Sequence, residues 1–157
     1  MHADPAVESH SHFKDLLAVF ARHKVRFLVV GGYAVMLYTE PRWTKDLDLW
    51  VDTAGDNAER VFAALCEFGA PLAGCTVEDF RKEGMVFQMG SPPLRVDILM
   101  SLSGVSFDEA WVNRQEAELF GVTVGFIGRV DLVRNKRTVG RHIDLHDAES
   151  LEESSKI

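Results

Sequence analysis

The sequence predicts a mixed α/β (α+β) domain built around one central sheet. Two patterns carry this reading. Short, β-branched apolar runs of strand length recur along the chain, and between them lie segments whose apolar residues fall at helical spacing. The two kinds alternate instead of forming separate blocks, which places helices against a mixed sheet. Size agrees: 157 residues, 46% hydrophobic and 26% charged, suit one core of ordinary composition and exclude wholesale disorder.

The elements follow in order. The first ten residues are polar and are expected to form a flexible tail carrying His2 and His10, with His12 just beyond. Phe13, Leu16, Leu17 and Phe20 follow the i, i+3, i+4, i+7 rule of an amphipathic helix, with Ser11 placed to cap it. Residues 25–30 are β-branched and apolar and read as a buried strand. Gly31-Gly32 interrupts that run, and Ala34, Val35, Leu37 and Tyr38 suggest a short helix that stops before Pro41. Residues 46–52 alternate acidic and apolar side chains and read as a second strand. Asp56 stands where it can cap a helix with the buried stripe Ala58, Val61, Phe62 and Leu65, ended by Gly69. Segments 85–90 and 94–100 read as strands joined at Ser91-Pro92-Pro93. Ser106 with Glu109 makes a capping box for a helix to about Val112. Residues 115–120 and 122–127 suit a hairpin turning near Gly121, and helices at about 129–139 and 141–154 follow. Residues 11–157 thus read as a single domain, with a core to 128 and a short helical C-terminal segment over 129–157. There is no internal repeat and no Pro/Gly/Ser-rich linker.

Charge and cysteine content exclude several classes. Seventeen Lys and Arg against twenty-four Asp and Glu leave a net charge of −7, unlike a strongly basic nucleic-acid binder, although a local basic patch stays open. No apolar run reaches the ~20 residues of a membrane helix, so no membrane partner is expected. The polar N-terminus, with Asp4 and Glu8, does not read as a signal peptide. Cys66 and Cys75 are too few for a four-thiolate zinc site and are expected to be reduced thiols of a cytoplasmic protein.

The acids carry the functional signal. Asp46 and Asp48 are two apart in a strand, so they share a face, while Leu47, Leu49 and Val51 take the other. Two carboxylates on one face repel unless a cation lies between them, and a divalent ion with oxygen ligands fits; the plain alternative is an exposed strand face. Gly31-Gly32, between strand and helix, lets backbone N–H groups approach an anion at a helix N-terminus; its alternative is a tight turn. Asp97 stands inside the apolar run Val96–Met100, where a carboxylate must be paired or metal-bound. Its neighbour Arg95 offers an ion pair but is expected on the opposite face of the strand. A phosphate cradle with three carboxylates is the equipment of two-metal phosphoryl or nucleotidyl transfer.

At these residues the sequence resembles a known family. GGYAVMLYTEPRWTKDLDLWVD looks like the signature of the DNA polymerase β-like nucleotidyltransferase superfamily: hG[GS], a spacer of about ten residues, then [DE]h[DE]h, with a later h[DE]h strand matched by RVDIL. FRKEGMVFQMGSPPLRVDILMSLSGVSFDEAW and DLVRNKRTVGRHIDLHDAESL are similar to a bacterial group of minimal nucleotidyltransferases related to toxin-type, abortive-infection (AbiEii-like) enzymes. The resemblance covers roughly residues 25–152.

The resemblance implies the nucleotidyltransferase fold and a metal-dependent enzyme. Such an enzyme moves an NMP from an NTP (ATP among them) to an acceptor hydroxyl and releases pyrophosphate. Asp46, Asp48 and Asp97 would hold Mg2+, or Mn2+ in its place, with Asp97 as the carboxylate on the base side. Gly31 and Gly32 would hold the β- and γ-phosphates. Many relatives have Gly-Ser there, so with Gly32 the serine contact must come from backbone or elsewhere. Thr44 would support the loop, while Lys45 alternates away from Asp46 and reads as a surface residue. Lys136, Arg141 and Asp144 match in type the positions that bind nucleotide in toxin-type relatives. They belong to a run, 129–141, with Arg129, Arg134, Lys136, Arg137 and Arg141 against Asp131, a local net of +4. This run reads either as a triphosphate or RNA-phosphate site or as a solvated helix face.

Other residues are read more plainly. His142 and His146 are four apart, but without a glutamate in the HExxH position they read as solvated. Trp43 suits a hydrophobic anchor better than a base-stacking platform, Trp50 and Trp111 suit packing, and Arg42 is a weak phosphate candidate. The acceptor implied is an RNA 3′ end (tRNA or another RNA), a protein side chain or a small molecule. It would be bound on a partner such as a cognate antitoxin, or on the mate in a homodimer, as in a toxin–antitoxin or phage-defence system. The alternative is a catalytically silent nucleotide-binding or partner-binding module on the same fold.

Overall fold

A computed structural model describes residues 5–42, 44 and 46–155, with the backbone alone for 5–9. Met1–Asp4, with His2, and also Trp43 and Lys45, lie outside the described residues. Helix α1 (Pro5–Arg22) begins before Ser11, which therefore stands inside the helix and does not cap it. Its apolar stripe buries Phe13, Leu16, Leu17 and Phe20 as the periodicity requires. His10 and His12 belong to this helix and lie edge-on to Phe120 and Phe68, at ring separations of 4.7 and 5.0 Å.

Six strands form one mixed sheet in the order β3-β4-β2-β1-β6-β5. Strand β1 (Phe27–Val30) is buried throughout and runs antiparallel to β2 (Leu47–Val51) and parallel to β6 (Val122–Phe126). Strand β2 runs parallel to β4 (Val96–Leu99), which pairs antiparallel with β3 (Val86–Met89) across the Ser91–Pro93 turn. Strand β5 (Gln115–Leu119) closes the far edge as a hairpin with β6. The hairpin loop is Phe120-Gly121, both at positive φ (51° and 80°), the two-residue turn whose twist matches the strands. A phenylalanine tolerates that conformation here because its ring packs on Phe13 and Tyr33.

Helix α2 (Gly31–Tyr38) follows β1 directly, α3 (Asn57–Phe68) follows β2, and a 3₁₀ turn (Val77–Arg81) precedes β3. Helix α4 (Phe107–Val112) lies between β4 and β5. Helices α5 (Arg129–Val139) and α6 (His142–Ser154) pack on each other and on α2, while α1 packs on α3. Two caps differ from the sequence expectation. Asp56 occupies the N-cap position of α3, but its side chain makes no capping bond. Ser106 caps α4 by accepting from the Glu109 N–H at 3.3 Å, yet the Glu109 carboxylate does not return the bond and instead lies 3.4 Å from Arg134. Among the described residues no helix is long and apolar enough to cross a membrane.

Candidate active site

Three strand ends converge on one place. Strand β1 leaves the sheet at Val30, and β2 and β4 enter it at Leu47 and Val96. The register sets Val30 on one side of Asp48 and Asp97 on the other, and Asp46 immediately precedes β2. The three acids singled out in the sequence therefore share one end of the sheet. Leu47, Leu49 and Val51 are fully buried beneath them, as the alternation requires.

The two glycines have separate reasons. Gly31 opens α2 at φ +69°, and a Cβ there would lie 2.1 Å from Asp48 Oδ2. The Asp48 carboxylate thus packs directly on the backbone at the start of α2, whose first turn has no side-chain cap. A Cβ on Gly32 would lie 2.7 Å from Thr44 Oγ1. The Thr44 hydroxyl occupies the space that a side chain at position 32 would need, and it donates a long bond (3.4 Å) to the Asp46 carbonyl. Gly31→Ala should destabilise the fold by about 1–3 kcal/mol through backbone strain alone, with more from displacing Asp48. Equilibrium urea denaturation measures this, and an unchanged midpoint would show that the backbone at position 31 relaxes without cost and that Asp48 moves aside.

The electrostatics single out Asp48. Burial pushes its carboxyl up from 3.8 to about 7, and the negative charges of Asp97 and Asp46 push the same way, against Lys136 and Arg95. A site that holds a carboxylate near neutrality is one where added positive charge is favourable.

Arg95 corrects the sequence expectation. It does not face away from Asp97: residues two apart share a face of an extended chain. Its Nε donates to Asp97 Oδ1 at 3.1 Å and its Nη2 to Asp97 Oδ2 at 3.2 Å, while Nε also lies 3.9 Å from Asp46 Oδ2. As they stand, among the described residues, no three His, Cys, Asp or Glu side chains are gathered closely enough to hold a metal ion. The donor set still suits a hard divalent cation: the ligands are carboxylates alone, and Asp48 is pressed against a glycine cradle with its charge poorly compensated.

The basic run is not a free positive surface, because each of its cations has a partner. Arg129 donates to the Leu151 carbonyl (2.9 Å) and lies over the Tyr38 ring, Arg134 pairs with Glu109, and Arg137 pairs with Glu152 at 2.6 Å. Arg141 forks onto Asp144, at 2.6 Å from Nε and 3.2 Å from Nη2, and so holds that carboxyl below its ordinary range. Lys136 Nζ lies 3.4 Å from Asp144 and 3.2 Å from Asp147, and Arg42 closes the chain with 2.5 and 3.3 Å contacts to Asp147. Asp144 and Asp147 are each 1% exposed and Lys136 9%. Lys136 therefore acts on Asp48 through space, not by contact, and Arg42 serves α6.

Asp147 is the residue that sequence reasoning passed over. Its spacing from Asp144, i and i+3 on one helix face, was the available signal. His142 and His146 are exposed on α6. A groove of about 800 Å³ opens beside this network, between Tyr38–Arg42 and the α6 residues His146, Asp147 and Glu153. No protein-family model matches the chain, and no curated protein matches it.

Proposed function

We propose that this protein is a metal-dependent nucleotidyltransferase of the DNA polymerase β-like superfamily, moving an NMP from an NTP to an acceptor hydroxyl. The observation that carries the reading is the convergence of Asp46, Asp48 and Asp97 at strand ends, with the Asp48 carboxylate packed against Gly31 at the start of α2. Carboxylates beside an uncapped helix N-terminus can serve a cation and a polyphosphate at once.

The reading gives each residue a role. The backbone N–H groups of Gly31 and Gly32 would hold the β- and γ-phosphates, with the Thr44 hydroxyl beside Gly32. Asp46, Asp48 and Asp97 would hold the divalent cation, Mg2+ or Mn2+, which would neutralise phosphate charge and acidify the acceptor hydroxyl. Asp97, the ligand on the base side, would also take the proton of that hydroxyl as the acceptor oxygen attacks the α-phosphorus and pyrophosphate leaves. Lys136 adds fixed positive potential toward Asp48. Arg141 and Asp144 position Lys136 and do not reach into the site as first ligands. The groove beside α6 has the size to receive a nucleobase or an acceptor. RNA, a protein and a small molecule all remain acceptor classes under this reading, as does a role in a toxin–antitoxin pair.

A second reading, a catalytically silent nucleotide-binding or partner-binding module, is favoured by one observation: Arg95 already supplies a cation to Asp97 and Asp46. Calorimetric titration of the four NTPs, with and without Mg2+, into wild type and Asp46→Asn/Asp48→Asn tests the enzyme reading. Mg2+-dependent binding lost in the double variant supports it. A folded wild type that binds no NTP sinks it, and NTP binding that ignores both Mg2+ and the double substitution favours the silent module.

A further inference from the structure

The turn before β4 fixes where Arg95 begins. The Leu94 N–H donates to the Ser91 carbonyl at 2.7 Å, and the Arg95 carbonyl accepts from Leu47 N–H at 3.1 Å, which pins its backbone beside the start of β2. From there the side chain runs over the acid face and is one-third exposed (34%), while its partner Asp97 is 13% exposed. The guanidinium occupies both Asp97 oxygens and approaches Asp46, but it reaches Asp48 only at a distance. It therefore stands between two of the three carboxylates that would hold the cation. A fork of this kind is a strong, charge-assisted contact, and a bound cation and the guanidinium repel each other at such separations. The backbone is fixed, the head is accessible to water, and the long stem can swing outward without disturbing the strand.

We propose that Arg95 is a displaceable internal counter-ion that occupies the acid site in the resting chain and leaves Asp97 when a divalent cation and a polyphosphate arrive together. This rests on the nucleotidyltransferase reading and adds how its site is regulated. The cation takes over Asp97 and Asp46, and the released guanidinium pairs with phosphate oxygens at the mouth of the site. Arg95 thereby opposes metal binding in the absence of nucleotide and couples metal entry to substrate entry.

The test uses Mn2+ and inorganic pyrophosphate as probes. Mn2+ is titrated calorimetrically, with and without saturating pyrophosphate, into wild type, Arg95→Gln, Arg95→Lys and Asp46→Asn/Asp48→Asn. Free Mn2+ is counted in parallel by electron paramagnetic resonance. Wild type should bind Mn2+ weakly alone and more tightly with pyrophosphate. Arg95→Gln should bind Mn2+ alone more tightly by about tenfold or more, and should lose most of the gain from pyrophosphate. Arg95→Lys, which keeps the charge but loses the fork, should fall between them, and thermal melts of each variant establish that it is folded. Acid-dependent Mn2+ binding that Arg95→Gln leaves unchanged or weakens would overturn the counter-ion role while leaving the metal site in place. No acid-dependent Mn2+ binding in either wild type or Arg95→Gln would overturn the metal site and the counter-ion role together.

Discussion

Asp48→Asn should abolish the proposed nucleotide transfer and yet give a protein that melts higher than wild type at pH 8. The reason lies in the Asp48 carboxyl, raised by burial and by Asp97 and Asp46 to about 7. In the unfolded chain it returns to about 3.9. Between those values the folded state binds more protons than the unfolded state, so stability falls as pH rises across roughly pH 4 to 7. Above that window the ionised Asp48 opposes folding by up to about 4 kcal/mol, an upper limit because water reaches part of the site. Asparagine, neutral and of the same shape, removes that opposition. The expected gain at pH 8 is several degrees in Tm, up to about 10 °C, shrinking toward zero near pH 4. Mg2+ should raise the Tm of wild type at pH 8 and leave that of Asp48→Asn unmoved. Paired thermal melts at pH 4, 6 and 8, with and without Mg2+, read all of this. A variant less stable than wild type at pH 8 would mean that Asp48 is a structural partner and not a poised ligand.

Lys136→Met should be the most damaging substitution for the fold. Lys136 lies between Asp144 and Asp147, both almost wholly buried, and its removal leaves two carboxylates without their shared cation. Breaking a buried ion pair on one side costs about 3–5 kcal/mol. For a chain of this length that is a fall in Tm of roughly 10 °C or more. Arg42 and Arg141 still hold one acid each, which limits the damage. Adding Asp147→Asn to Lys136→Met should recover part of the loss, because the orphaned charge is then gone. Since Lys136 also draws the Asp48 carboxyl downward, its loss should move the pH at which Mg2+ begins to bind upward. Urea denaturation of the two variants and an Mg2+ titration against pH check these outcomes. A Lys136→Met protein as stable as wild type would show that Arg42 and Arg141 suffice to hold the two buried acids.

Much of the architecture was legible because it is written locally. Period-2 and period-3.6 patterns placed most strands and helices, and Gly69 and Gly121 marked a helix end and the hairpin turn as left-handed conformations demand. Errors arose where a local preference met a distant competitor. The capping box at Ser106 lacks its second bond, and the Glu109 carboxylate lies by Arg134 of α5 instead. Ser11 does not start α1, because the helix already runs through it from Pro5.

The candidate site divides along the same line. Asp46, Asp48, Asp97 and the Gly-Gly pair are visible in the sequence because a carboxylate in an apolar strand and paired glycines before a helix both break the local pattern. The net +4 of residues 129–141 was equally visible, but its meaning was not. Asp144, Asp147, Glu109 and Glu152 come from other elements and neutralise it. Arg95 was within reach of the i, i+2 rule, and its link to Asp46 depended on β2 and β4 lying parallel and in register.

The sequence by itself determined most of the strands and helices, most of the core side chains and which acids break the pattern, since each of these depends on a residue's neighbours along the chain, although it read the helical residues 5–10 as a tail and passed over the 3₁₀ turn. Only the tertiary structure decided which charges meet. Strand pairing brings Asp97 beside Asp48, the parallel register sets Arg95 between Asp46 and Asp97, and helix packing buries Lys136 between two aspartates. Electrostatic energy depends on distance through space and on burial, and neither is set by spacing along the chain.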